Sequence, residues 1–164
     1  MTIIIKNKET LIYDEFLFKC STGKRGLTKS KKEGDKKTPK GLYNLENLYY
    51  RKDKIDKPIT SLKCIQINKA MGWCDDVSKK NKYNKLIKSS QKIHHEKLFR
   101  KDNKYDILIP ISYNRKKIKI GKGSAIFIHI TNDYKKTDGC IALKKNDLLI
   151  LLKLINKKTK IKIL

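Results

Sequence analysis

The residues with the clearest chemical potential sit close together in Thr137-Asp138-Gly139-Cys140-Ile141-Ala142-Leu143. A thiol beside a glycine, entering an apolar segment after a loop, is well mounted as a nucleophile. Glycine lets an acyl group approach the main chain, and its N–H can join an oxyanion hole. A free cysteine has a pKa of about 8.5, so near neutrality it needs a partner such as histidine. His129 stands eleven positions earlier in Ala125-Ile126-Phe127-Ile128-His129-Ile130. Period-two alternation there puts Ile126, Ile128 and Ile130 on one face and Phe127 with His129 on the other. Spacing alone leaves the structural alternative open, with Cys140 a small buried residue and His129 a packing one.

Several motifs in order carry a resemblance. His129 followed by Thr137-Asp138-Gly139-Cys140 resembles the catalytic signature of the YkuD L,D-transpeptidase family, a His and then Ser/Thr-His-Gly-Cys. Lys32-Glu33-Gly34-Asp35 with Thr38-Pro39 and Gly41 resembles the family's Lys-x-Gly-x-x-Thr-Pro-x-Gly segment. Gly72-Trp73-Cys74-Asp75-Asp76, Tyr83-Asn84, His95-Glu96, Tyr105-Asp106 and Gly123-Ser124-Ala125 resemble a proteobacterial branch of it. The likeness runs over about residues 15–155. Asp138 stands where the common signature has a second His, Ala142 where it has Arg or Asn, and the His-to-Cys interval is shorter.

The resemblance implies a β-rich α+β, mixed-sheet YkuD-like fold. It implies that Cys140 attacks a peptidoglycan stem peptide, with His129 as base and the N–H groups of Gly139 and Cys140 as oxyanion hole. It further implies that a main-chain carbonyl orients His129. Trp73, Asp75, Asp76, His95 and Thr137 are the candidates for substrate binding, Asp75 or Asp76 being suited to a substrate ammonium. For the loop residues the alternative is structural, with Trp73 packing the loop down and the acids capping turns. Asp138 beside the thiol is expected to raise its pKa unless His129 is protonated. A hydrolase using the same thiol, an L,D-carboxypeptidase or amidase, shares the acyl-enzyme step. Asp138 and Ala142 also fit a wall-binding homologue without turnover.

These residues need elements to hold them. Thr2 to Lys6 and Glu9 to Phe18 read as strands about a turn at Lys6-Asn7-Lys8, and Leu62 to Asn68 as another. Tyr105 to Ile111 and Ala125 to Ile130 read as buried strands, and Thr159 to Leu164 as a closing one. Gly23, Gly26, Gly34 and Gly41 punctuate a loop stretch. Residues 72–105 read as a long polar loop region, with a possible second short helix over Ile93 to Arg100. Leu148 to Ile155 is nearly all apolar and follows Asn146-Asp147, which predicts one main C-terminal helix over 146–157 with a side-chain N-cap. At 164 residues the expectation is a single domain over 1–164.

The formal net charge is +25, with arginine only at 25, 51, 100 and 115. Lysines spread through nearly every segment, mixed with Ile and Asn, and the few arginines lack interleaved aromatics, a pattern of AT-rich composition rather than a dedicated nucleic-acid face. The expected partners are stem peptides, with no specific nucleic acid. Cys20, Cys64, Cys74 and Cys140 form no C-x-x-C pair, and no cofactor or metal is expected, although Cys74, His94 and His95 could be assembled into a site. Cys74 among acids is a poor rival nucleophile. No stretch reaches the ~20 apolar residues of a membrane span. Met1 to Cys20 lacks the apolar core of a secretory signal, although the substrate class implies the periplasm or cell envelope.

Overall fold

The computed structural model describes residues 1–89 and 92–164. In chain order the strands are β1 (Thr2–Ile5), β2 (Thr10–Tyr13), β3 (Phe16–Lys19), β4 (Leu27–Thr28), β5 (Thr38–Pro39), β6 (Gly41–Asn44), β7 (Leu48–Tyr50) and β8 (Cys64–Gln66). Then follow β9 (Met71–Cys74), β10 (Leu86–Lys88), β11 (His95–Lys97), β12 (Ile107–Pro110), β13 (Phe127–Ile130), β14 (Ile141–Leu143), the helix α1 (Lys145–Leu154) and β15 (Lys160–Ile163). The fold is β-rich α+β, as the motifs imply.

Two five-stranded mixed sheets dominate, ordered β3-β2-β1-β15-β6 and β14-β13-β12-β7-β8. In the first, β1 and β15 run parallel with Ile3 opposite Ile161 and Ile5 opposite Ile163. Their alternation is strict: Ile161 and Ile163 are buried while Lys160 and Lys162 are exposed. The β15 lysines thus occupy the wet face of a half-buried strand. Between the two sheets and α1 lies the larger core, including Ile3, Ile161, Ile109, Ile128 and Leu151. A smaller, aromatic core covers the other face of the second sheet, with Tyr49, Trp73, Tyr105, Leu108, Phe127 and Cys140.

Four expectations are corrected. The segment Glu9 to Phe18 is two strands, because Asp14 adopts φ 54° and reverses the chain between β2 and β3. Residues 72–105 are not an irregular loop: β9 is flanked by β10 and β11 in a three-stranded antiparallel sheet. Its outer strands, Leu86–Lys88 and His95–Lys97, are too short for a period-two signal to stand out. The short helix over Ile93 to Arg100 is replaced by β11, where pairing of His95 with Cys74 and Glu96 with Trp73 overrides local propensity. Helix α1 is shorter than predicted and starts after Lys144, without a side-chain cap. Asp147 instead faces the N-terminal dipole in the first turn. The helix stops where Ile155 turns extended and plugs the core, 1% exposed, and Asn156 and Thr159 bond each other in the following turn.

Candidate active site

Strand pairing decides which side chains meet. β13 and β14 run parallel with Ile128 opposite Ile141 and His129 opposite Ala142. Ile128, Ile141 and Leu143 face the larger core. Phe127 and Cys140 face the aromatic one. His129 shares Phe127's side of β13, so it lies diagonally from Cys140 on one face of the sheet.

The turn before the cysteine is tight for identifiable reasons. The Thr137 hydroxyl donates to the Cys140 carbonyl at 2.6 Å and accepts the Gly139 N–H at 3.1 Å. Gly139 has φ +141°, and a Cβ there would sit 2.9 Å from the Lys37 carbonyl and 3.2 Å from Ile126 Cδ1. Only glycine fits. Residues 21–24 lie alongside: Ser21 exchanges main-chain bonds with Ala142, and Thr22 O accepts from Thr137 N–H. Beneath, Asp35 is the hub of the Lys32-Glu33-Gly34-Asp35 segment, accepting from the Lys32 and Lys37 N–H groups and from the buried Lys31 ammonium. Burial pushes its carboxyl up, but these donors outweigh that and hold it below the usual range.

Cys140 Sγ lies between a donor and an acceptor. The Phe127 N–H points at it from 3.4 Å, and the thiol donates to the Ala125 carbonyl at 3.3 Å. Burial pushes the thiol up to about 11, against the opposing pull of Lys104 and the Phe127 N–H. His129 Nδ1 lies 2.8 Å from the Ile130 carbonyl. A carbonyl only accepts, so Nδ1 carries the hydrogen and Nε2 the lone pair. Nε2 is buried with no hydrogen-bond partner among the described residues. Burial, with Lys104 adding to it, pushes His129 down to about 3. Thiol and imidazole are therefore both neutral, and the Nε2 lone pair is unpartnered among the described residues. A main-chain carbonyl orients the imidazole, as the resemblance implies.

Tyr105 forms the aromatic wall, edge-on to His129 at 5.4 Å and to Phe127 at 5.8 Å between ring centroids. Its hydroxyl donates to Glu96 at 2.8 Å. Cys140 opens on a groove of about 470 Å³ whose lining includes Glu33, Asp75, Glu96, Arg100 and Tyr105. His129 lines a second cavity of about 430 Å³, with Thr137 and Ala142.

The chain matches the YkuD L,D-transpeptidase catalytic domain model over residues 1–163. It belongs to the YkuD family. Two solved structures share the YkuD fold: Bd1075 from Bdellovibrio bacteriovorus, 16% identical with a TM-score of 0.51, and the helical cell shape determining protein Pgp2 from Campylobacter jejuni, 19% identical with a TM-score of 0.50. Each match covers 99% of this chain but only 47% and 46% of those chains, so it spans about half their length. Among curated protein sequences none is significantly similar.

The remaining site candidates of this YkuD chain fall in different places. Asp75 lines the groove and meets His94 at 2.6 Å. Asp76 caps a turn through Ser78. His95 is held by Ile93 O and Ser89 Oγ and packs over Gly72, away from the groove. Trp73 is 1% exposed, packed edge-on to Phe127 with its indole N–H on Asn84. It lies beneath the groove rather than on it. Asp138 is exposed, lines the groove beside Cys140 and is ion-paired with Lys24 at 3.2 Å. Cys74 is fully buried and its thiol is pushed up by burial.

Sequence reading missed two supports. Asn84 accepts from Trp73 and from the Ala125 N–H, and donates to the Tyr113 and Asn114 carbonyls, using its whole amide. It thereby fixes Ala125, at φ +52°, whose carbonyl holds the thiol. Lys31 is the second. The signals were Tyr83-Asn84 and the lysine before Lys32, but neither reveals a partner far along the chain.

Proposed function

We propose that this chain is a cysteine-dependent L,D-transpeptidase acting on peptidoglycan stem peptides in the periplasm or cell envelope. One observation carries the reading: on the sheet face that bears Cys140, His129 is anchored through Nδ1 and presents an unpartnered, neutral Nε2. Such a nitrogen carries a lone pair free to accept a proton. Among the described residues no helix is long and apolar enough to cross a membrane.

In this reading the Cys140 thiol leaves the Ala125 carbonyl and gives its proton to His129 Nε2 as sulfur attacks the carbonyl carbon after the third stem residue. The resulting oxyanion is met by the Cys140 N–H and by the Gly139 N–H once Thr137 Oγ1 releases it. The C–N bond breaks, His129 returns the proton to the departing amine, and the terminal D-amino acid leaves. A thioester remains on Cys140. An acceptor amine then attacks the thioester, His129 takes its proton, and the new amide leaves as the thiol re-forms. The high thiol pKa favours proton transfer concerted with attack over a preformed thiolate–imidazolium pair. Asp75, on the groove, is suited to a substrate ammonium.

Mass spectrometry of the protein incubated with a purified tetrapeptide tests this. An adduct on Cys140 with loss of the terminal residue, followed by cross-linked product with an acceptor, is the expected outcome. Trimmed tripeptide alone identifies a carboxypeptidase using the same thiol, and no adduct overturns the enzymatic reading.

A further inference from the structure

The groove at Cys140 and the cavity at His129 share one lining residue, Lys104. The other cations lining them are committed or exposed. Lys31 is paired with Asp35, Arg100 with Asp102 and Glu96, Lys135 with Asp133, and Lys136 with Glu9. Lys36 is exposed. Lys104 is half-buried, its ammonium 5.1 Å from the centroid of the Tyr105 ring that packs on His129. Among the described residues no carboxylate lies within ion-pair reach of that ammonium. An ammonium on an aromatic wall that lines both cavities, with no carboxylate in ion-pair contact, lowers the energy of an anion brought there.

We propose that Lys104 is a specificity-determining residue that draws a carboxylate of the substrate to the wall between the two cavities. A singly charged carboxylate fits better than a phosphate, because Glu96 and Asp102 line the same cavities and repel a denser anion. The carboxylate's identity, the C-terminus of a stem peptide, rests on the function proposed above; the attraction itself does not. The position of Lys104 also makes it the leading cation acting on both Cys140 and His129.

The test compares alkylation of Cys140 in the full chain by iodoacetate and by iodoacetamide, read by mass spectrometry of the peptide that contains it. The same thiolate displaces iodide from both reagents, so the ratio of their rates cancels the thiolate fraction and reports attraction of the anion. Lys104→Gln is expected to lower that ratio about fivefold, the scale of one partly exposed charge, and Lys104→Arg to retain it. About 0.5 M salt should bring the wild-type ratio toward that of Lys104→Gln. An unchanged ratio in Lys104→Gln, or an equal fall in Lys104→Arg, overturns the proposal. With tetrapeptide, Lys104→Gln should raise KM about fivefold for the free C-terminus and leave the C-terminal amide unaffected; equal effects on both overturn it. Absence of any peptide turnover in the wild type defeats the transpeptidase reading alone, and the alkylation ratio still decides Lys104.

Discussion

The two faces of β13 meet different surroundings. One face, with Ile128 and Ile130, is sealed into the larger core beside Ile141, Leu143 and the α1 leucines. The other, with Phe127 and His129, meets aromatic rings, a thiol and two cavities. Fully burying an isoleucine contributes roughly 1.5–3 kcal/mol, whereas burying His129 stabilises only its neutral form. On the proposed function, stability and chemistry are divided by residue parity along four residues of one strand. A change on one face should therefore alter one property with little effect on the other.

The largest expected effect is on the chemical face. Cys140→Ala should abolish acyl-enzyme formation with no loss of fold, since one small thiol at a cavity wall adds little packing. Intact-mass measurement after exposure to tetrapeptide checks this, and an adduct surviving in the variant would move the nucleophile to another cysteine.

Next is His129→Gln, expected to slow acylation by about 10²–10⁴, the range of a positioned general base. Part of the loss should return at alkaline pH as the thiol ionises unaided. Stopped-flow acylation against pH measures both, and wild-type rates at neutral pH would make His129 purely structural.

Ile128→Ala is the control on the other face. It should cost about 2–5 kcal/mol in denaturant unfolding, while the rate per folded molecule changes little. A rate loss matching that of His129→Gln would show that the two faces are coupled.

Acid titration gives a smaller separation. His129 has its folded pKa pushed down to about 3 from an ordinary value near 6.5. Between those values the unfolded chain binds the extra proton, so stability falls as pH drops from about 6.5 toward 3, by at most a few kcal/mol from this group. His129→Gln should remove that component, making the variant less acid-sensitive than wild type in unfolding at pH 4 against pH 7. Equal acid sensitivity would mean that other groups dominate.

Asp138→His should have the least effect. Its carboxylate is exposed and paired with Lys24, so thiol alkylation against pH should shift little, as expected for a surface ion pair. A clear fall in the Cys140 pKa would place the carboxylate's influence at the sulfur after all.

Much of this division was written locally. Alternation over Ala125 to Ile130 assigned the two faces of β13, because a strand's side-chain period is two and one buried face demands apolar residues. The leucine stripe of α1 and the Ile–Lys alternation of β15 are of the same kind. Gly139 beside Cys140 was legible because a thiol needs a close, unhindered backbone. The segment 72–105 was not. Its central strand, Met71 to Cys74, becomes a strand by pairing with two neighbours too short to carry an independent signal.

The sequence by itself determined which residue types were available for chemistry and which face of each strand they occupied, since those depend on neighbours one or two positions away. Tertiary structure alone decided their states. It bonded the Gly139 N–H to Thr137, turned Asp138 out to Lys24, and drew Asn84 across 41 residues to fix Ala125 behind the thiol. Among the described residues it also left His129 Nε2 unpartnered and Lys104 outside any ion-pair contact. Hydrogen bonds and ionisation depend on distances of a few ångströms and on the exclusion of water, and packing of remote segments sets both.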